Sequence, residues 1–197
     1  MLVFPEARLA LLAVPKTGTT ALAVAFGSEA GMVLRHPPAL KHLGVRDFDR
    51  HLRPLLERSA GGGRFETVAV MREPIAWLGS WYRYRLREDI AGLAQSTRGL
   101  SFDRFVLDHL SDPCPVHAAV GRQSRLIAPA ADCRVDHLFR HDRMDALLAF
   151  LADRTGVSAI LPRRNVSPDA PLDLSAATEA RLRADLAPDF ALYASLG

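Results

Sequence analysis

An α/β domain built around a parallel sheet is the fold class this sequence predicts, and three observations carry the expectation. Apolar runs of strand length occur at residues 9–14 (LALLAV) and 67–71 (TVAVM), with a third core strand read at 135–139 (VDHLF), and such runs suit strands covered on both faces. Segments with helical spacing alternate with them. The connections are short, and neither a repeat nor a linker divides the chain, so one domain over 1–197 is expected. The chain is 49% hydrophobic and 24% charged. That is enough apolar material for a full core, and it excludes a disordered tail, a collagen-like repeat and a disulfide-stapled miniprotein.

Taken in order, residues 9–14 form the first strand, and a polar turn at 15–20 follows at once. The Ala-rich stretch 21–29 reads as a helix stopped near Gly31. Residues 32–34 make a short second strand. Residues 45–58 carry Phe48, Leu52, Leu55 and Leu56 at helical spacing and end before Gly61-Gly62-Gly63. After the strand at 67–71, Pro74 opens a helix whose Trp77, Trp81 and Tyr84 fall at i, i+4 and i+7, a core stripe. Tyr82, Arg83, Arg85 and Arg87 read as its solvated face, with a face toward an acceptor cleft as the other reading. Ser101 caps a helix through Leu110, the strand at 135–139 follows, and then a helix at 144–154. A Pro-bounded loop at 161–171 leads to a terminal helix at about 175–186.

Charge and composition narrow the partners. Net charge is +3, from 23 Arg and two Lys, Lys16 and Lys41, against 22 acids. This balance suits an anionic ligand, whereas nucleic-acid binding would call for a basic arm or stripe that the sequence lacks. Cys114 and Cys133 form no CxxC and no metal-ligand spacing, which suits a reducing compartment. The apolar run at 9–14 is far short of the ~20 residues of a membrane span, and Pro15-Lys16 after it is not a cleavage site, so a cytoplasmic protein without membrane attachment is expected.

The chemistry lies in Pro15-Lys16-Thr17-Gly18-Thr19-Thr20, where a strand feeds a turn that becomes a helix N-terminus. Exposed N–H groups and the helix dipole favour an anion there. Gly18 lets the backbone approach a phosphate, the three threonines add hydroxyls, and Lys16 adds charge. The nucleotide P-loop, GxxxxGK[ST], places its lysine after the second glycine, whereas here it precedes the single glycine. A polar turn capped by threonine is the plainer reading of the same residues.

This hexapeptide after a buried strand resembles the 5′-phosphosulfate loop of the PAPS-dependent sulfotransferases, matching P-K-[TS]-G-[TS]-[TS] throughout. The family's second signature, a strand-end arginine followed by proline two and serine eight residues later, is similar to Arg72, Pro74 and Ser80. Leu161-Pro162-Arg163-Arg164-Asn165-Val166-Ser167-Pro168 resembles the late LPxxNxS loop of the bacterial, carbohydrate-sulfotransferase-like branch. The resemblance implies a three-layer, P-loop-like α/β/α fold and a sulfuryl transfer from PAPS, without metal, to a small-molecule or carbohydrate acceptor. It implies that Pro15, Lys16, Thr17, Gly18, Thr19 and Thr20 hold the phosphosulfate and that Arg72 and Ser80 hold the 3′-phosphate. Arg163, Arg164, Asn165 and Ser167 would cover the cofactor. Glu73 stands where the family more often has Asp or Asn. A nucleotide kinase or NTPase, or a non-catalytic nucleotide-binding homologue, are the alternative readings.

Sulfuryl transfer asks for in-line positioning, charge stabilisation and a base for the attacking hydroxyl. Lys16 is the candidate stabiliser of the leaving phosphate. His42, in Lys41-His42-Leu43-Gly44-Val45-Arg46-Asp47-Phe48, resembles the stretch that carries the catalytic histidine in the uronyl 2-O-sulfotransferase type, and Lys41 is a candidate anion contact. A helix-edge structural role is the other reading of His42. His141 is the reserve base at a strand end, His51 reads as solvated, and His137 reads as a structural histidine within a strand.

Overall fold

The structure, a computed structural model, describes residues 1–162 and 167–196. They gather into two compact units, one formed by 1–72 and 123–162, the other by 73–122 and 167–195.

The first unit holds β1 (Leu2–Phe4), β2 (Leu9–Leu11), α1 (Thr19–Phe26), β3 (Met32–Val33), α2 (Pro38–Lys41), α3 (Val45–Asp47) and α4 (Arg53–Ser59), the last two joined by a π-helical turn at Phe48–Leu52. It continues with β4 (Glu66–Met71), whereas α7 (Gln123–Ile127), β5 (His137–Arg140) and α8 (Met144–Thr155) enter after the chain returns. The five strands lie in the order β3-β1-β2-β4-β5.

The expected parallel sheet is therefore corrected to a mixed one. β2, β4 and β5 run parallel, while β1 is antiparallel to both β2 and β3. The strand that changes the class is Leu2–Phe4, three residues folded back on β2 through the turn that Arg8 N–H closes onto the Pro5 carbonyl at 3.0 Å. A three-residue apolar run carries too little periodicity to be told from a loop, and the hairpin costs the chain only a tight turn.

Alternation along the strands decides what each face buries. Leu2, Leu11 and Val68 stand side by side across three strands. Together with Leu9, Val70 and Phe4 they meet Leu22 and Phe26 of α1 and Leu147 and Leu151 of α8. Each such side chain contributes about 1.5–3 kcal/mol on burial. His137 shares that face, where its ring packs on Phe150 at 4.7 Å and Nε2 lies 3.1 Å from Glu66. It is the structural histidine the sequence suggests.

Asp136, just ahead of β5, joins that strand to β4. Its carboxylate accepts from the Thr67 N–H at 2.7 Å, the Thr67 hydroxyl at 2.8 Å and Arg64 at 2.6 Å. Burial pushes this carboxyl up, but the Thr67 and Arg64 bonds outweigh it and hold the group below its ordinary range. Removing the carboxylate orphans the donors of fully buried Thr67. Asp136→Ala is therefore expected to lose about 2–4 kcal/mol in chemical denaturation; a loss below about 0.5 kcal/mol, typical of an inert surface change, contradicts this.

The second unit is helical: α5 (Pro74–Arg85), α6 (Phe102–His109), α9 (Ala176–Asp185) and α10 (Ala187–Ala194). Side-chain caps set three starts, with Glu73 accepting from Ala76 N–H, Ser101 from Arg104 N–H and Ser175 from Thr178 N–H. Trp77, Leu78, Phe102, Phe105, Leu182 and Leu186 fill its core. Two expectations for α5 are corrected. Tyr82 is buried between Phe102 and Phe105, its hydroxyl donating to Leu100 O at 2.7 Å. Arg85 is also buried, and its guanidinium donates to the carbonyls of Val116 and His117. Both α6 and α10 pack on α5, so its buried face is wider than the single stripe visible in the sequence.

Candidate functional site

β2 delivers the chain to the carboxyl edge of the sheet, where the connections diverge. From β2 the chain passes through α1 to β3 on one side, and β4 lies on the other. Ligands of open α/β sheets bind at such a switch point. The predicted anion loop occupies it.

The loop's backbone explains what it can bind. Lys16 has φ +66° and Gly18 φ +82°, with Thr17 at negative φ between them. Alternating handedness turns successive N–H groups toward one concave side, an anion-binding nest. A lysine in the left-handed region costs on the order of 1 kcal/mol, a strain that clusters at functional sites. Thr17 is buried and donates its hydroxyl to the Val14 carbonyl at 2.9 Å, so it shapes the loop from within. Thr19 and Thr20 sit in the first turn of α1, half-buried and exposed respectively, and no side chain caps that turn. Its N–H groups and dipole are directed toward the nest.

Three further side chains of this unit stand at the same edge. His42 follows α2, and its Nδ1 lies 2.5 Å from the Ala13 carbonyl, at the entry to the loop. A carbonyl only accepts, so Nδ1 carries the proton and neutral His42 keeps its lone pair on Nε2. Burial lowers its pKa below 6.5 and the nearby Lys41 lowers it further, against the Ala13 bond, which raises it. His42 is a neutral imidazole with a basic nitrogen at physiological pH.

Arg72 ends β4. Its backbone is clamped by the side-chain amide of Gln123, which is fully buried. Oε1 accepts from Arg72 N–H at 2.9 Å and Nε2 donates to Arg72 O at 2.7 Å. β4 and β5 pair with Met71 opposite Arg140, so Arg72 and His141 are the next residues on adjacent strands. Burial lowers the His141 pKa, and the Arg72 charge lowers it further. Met144 reaches toward Gly18, its Cε 3.9 Å from where a Cβ would stand, and so places the start of α8 beside the loop.

The structure thus brings Pro15–Thr20, His42, Arg72 and His141 to one edge of one sheet. Ser80 and Ser167 belong to the second unit and are half-buried there. Arg163, Arg164 and Asn165 lie outside the described residues. His51 is exposed, as expected. The Gln123 clamp escaped sequence reasoning because one amide 51 residues from its partner leaves no local pattern. The sole hint was the polar Gln-Ser pair heading α7.

A cleft of about 190 Å³ opens beside the loop, between α1 and the segment leading into α2, with Ala13, Thr19, Thr20 and Lys41 in its walls. Among the described residues, no cluster of three or more His, Cys, Asp or Glu is placed to hold a metal ion, and no helix is long and apolar enough to cross a membrane. Comparison with family models, curated proteins and solved structures finds no match.

Proposed function

We propose that the protein is a PAPS-dependent sulfotransferase that moves a sulfuryl group to the hydroxyl or amine of a small-molecule or carbohydrate acceptor. The observation that carries the reading is the strained lysine within an anion nest at the sheet's switch point, with a neutral histidine hydrogen-bonded to Ala13, between the delivering strand and the loop. The residues fit the donor: a concave row of N–H groups and Lys16 suit a phosphosulfate, and Arg72 suits a further phosphate.

When bound, PAPS would supply the sulfuryl group, the bond between sulfur and the bridging phosphate oxygen being the one exchanged for the new S–O bond to the acceptor, with PAP as the leaving group. The nest orients the phosphosulfate for in-line attack. His42 Nε2 accepts the proton of the attacking hydroxyl as the new S–O bond forms. Lys16 holds the charge that grows on the bridging oxygen. Arg72, its backbone fixed by Gln123, grips the 3′-phosphate.

The test is transfer itself. Purified protein is incubated with PAPS carrying labelled sulfur and a mixed pool of alcohols, phenols, amines and oligosaccharides. Labelled sulfate ester or sulfamate that requires the enzyme supports the proposal, whereas labelled PAPS left intact across the pool opposes it.

Gln123 separates holding from folding. Gln123→Leu removes two side-chain hydrogen bonds to the Arg72 backbone and loosens the arginine. The expected result is about tenfold weaker PAP binding with adenosine 5′-monophosphate binding unchanged within twofold, since the latter lacks the 3′-phosphate. Equal weakening of both nucleotides contradicts a role through Arg72.

A further inference from the structure

The cleft beside the anion loop combines two features that neither the loop nor the histidine requires. Leu12, Leu22, Leu34 and Val24 contribute apolar lining, while Arg35 and Lys41 contribute positive charge. Its lining includes no aspartate or glutamate among the described residues. Elsewhere in the chain arginines pair with carboxylates, as in Arg64–Asp136, Arg122–Asp185 and Arg154–Glu66. Val24 is 53% exposed although α1 is apolar along most of its length, so solvent faces an unusually apolar surface here.

We infer that this cleft is the acceptor pocket and that it takes a compact amphipathic anion, a small hydroxy acid with an apolar body; the inference rests on the sulfotransferase reading. Position, size and charge each contribute. The wall includes Ala13, whose carbonyl accepts from His42 Nδ1, and Lys41, the residue before His42, so the cleft adjoins the two residues that flank the proposed base. About 190 Å³ is smaller than the ~300–1,000 Å³ of drug-sized sites, which suits a short acyl or aryl group and excludes seating a sugar chain within it. The apolar lining takes the body of the acceptor by the hydrophobic effect. The two cations face its acid group without a competing carboxylate in the wall.

The experiment is calorimetric titration of octanoate, octylamine and 1-octanol into the full chain, with and without saturating PAP. Octanoate is expected to bind at least tenfold more tightly than octylamine. The double variant Arg35→Gln, Lys41→Gln is expected to bring the two within threefold, with circular dichroism unchanged. Leu34→Trp, which fills the cleft, is expected to remove octanoate binding while PAP binding stays within threefold. Octanoate that fails to bind, or binds no better than octylamine, overturns the inference. Absence of PAP binding strikes the sulfotransferase reading instead, and the titration without PAP still decides what the cleft prefers.

Discussion

Lys16→Gly is expected to yield a protein that is more stable than the wild type and nearly inactive. Two properties of one residue separate in this variant. At φ +66° the lysine pays a backbone strain that glycine does not, so the substitution relieves about 1 kcal/mol and preserves the nest. The ammonium disappears, and with it the charge proposed to face the bridging oxygen. Loss of one preorganised stabiliser costs about 10²–10³-fold in kcat. Thermal unfolding and the turnover of PAPS, measured on the same preparation, check both halves. A destabilised Lys16→Gly, or one that retains a third of its activity, contradicts the account. Lys16→Ala is the companion, with the same loss of turnover and none of the gain in stability, because alanine stays strained at positive φ.

His42→Gln carries the second large effect. Removing a positioned base lowers turnover by about 10²–10⁴-fold, whereas PAP affinity should remain within threefold because the base faces the acceptor. The pH profile carries the signature. Burial and Lys41 hold the native His42 pKa below 6.5, so the active, unprotonated form persists to lower pH than an ordinary histidine allows. Activity should rise with pH along a limb centred below 6.5 and level off at neutrality, and His42→Gln should lose that limb. The same depressed pKa favours the folded state above pH 6.5, an advantage lost as pH falls through the native value. A wild-type limb centred above 6.5, or an unchanged limb in His42→Gln, contradicts the assignment.

How much of this is legible in the sequence follows from the range of each signal. The strand at 67–71 carried a near-continuous apolar run and the one at 135–139 an apolar pattern broken by Asp136 and His137, and they became β4 and β5 within two residues at either end. The anion loop was legible because its order of residues is local: strand, lysine, glycine, threonines. Its handedness was not, since no pattern announces that a lysine adopts positive φ. β1 went unread because three residues hold no period, and with it went the mixed character of the sheet. α10 (Ala187–Ala194) follows α9 with Pro188 in its first turn, a residue that marks either a helix start or a stop.

The site divides the same way. His42 rested on its neighbours in sequence, and the bond to Ala13, 29 residues away, is a tertiary fact. Gln123 and Asp136 act through backbone partners 51 and 69 residues distant, beyond any motif. Tyr82 and Arg85 were placed toward solvent because a helical wheel knows one partner face and α5 has more than one. What sequence conveyed was the local order of the loop's residues; what it lacked was the tertiary contacts that fix each side chain.

Calorimetric titration of PAP into the wild type and Lys16→Ala, with ATP plus Mg²⁺ as comparator, tests the central claim most directly. Micromolar PAP binding that is independent of metal, falls at least tenfold in Lys16→Ala and exceeds ATP–Mg²⁺ binding is the predicted result. No binding of PAP, or binding of ATP with Mg²⁺ in its place, contradicts the sulfotransferase account and leaves a kinase-like nucleotide site.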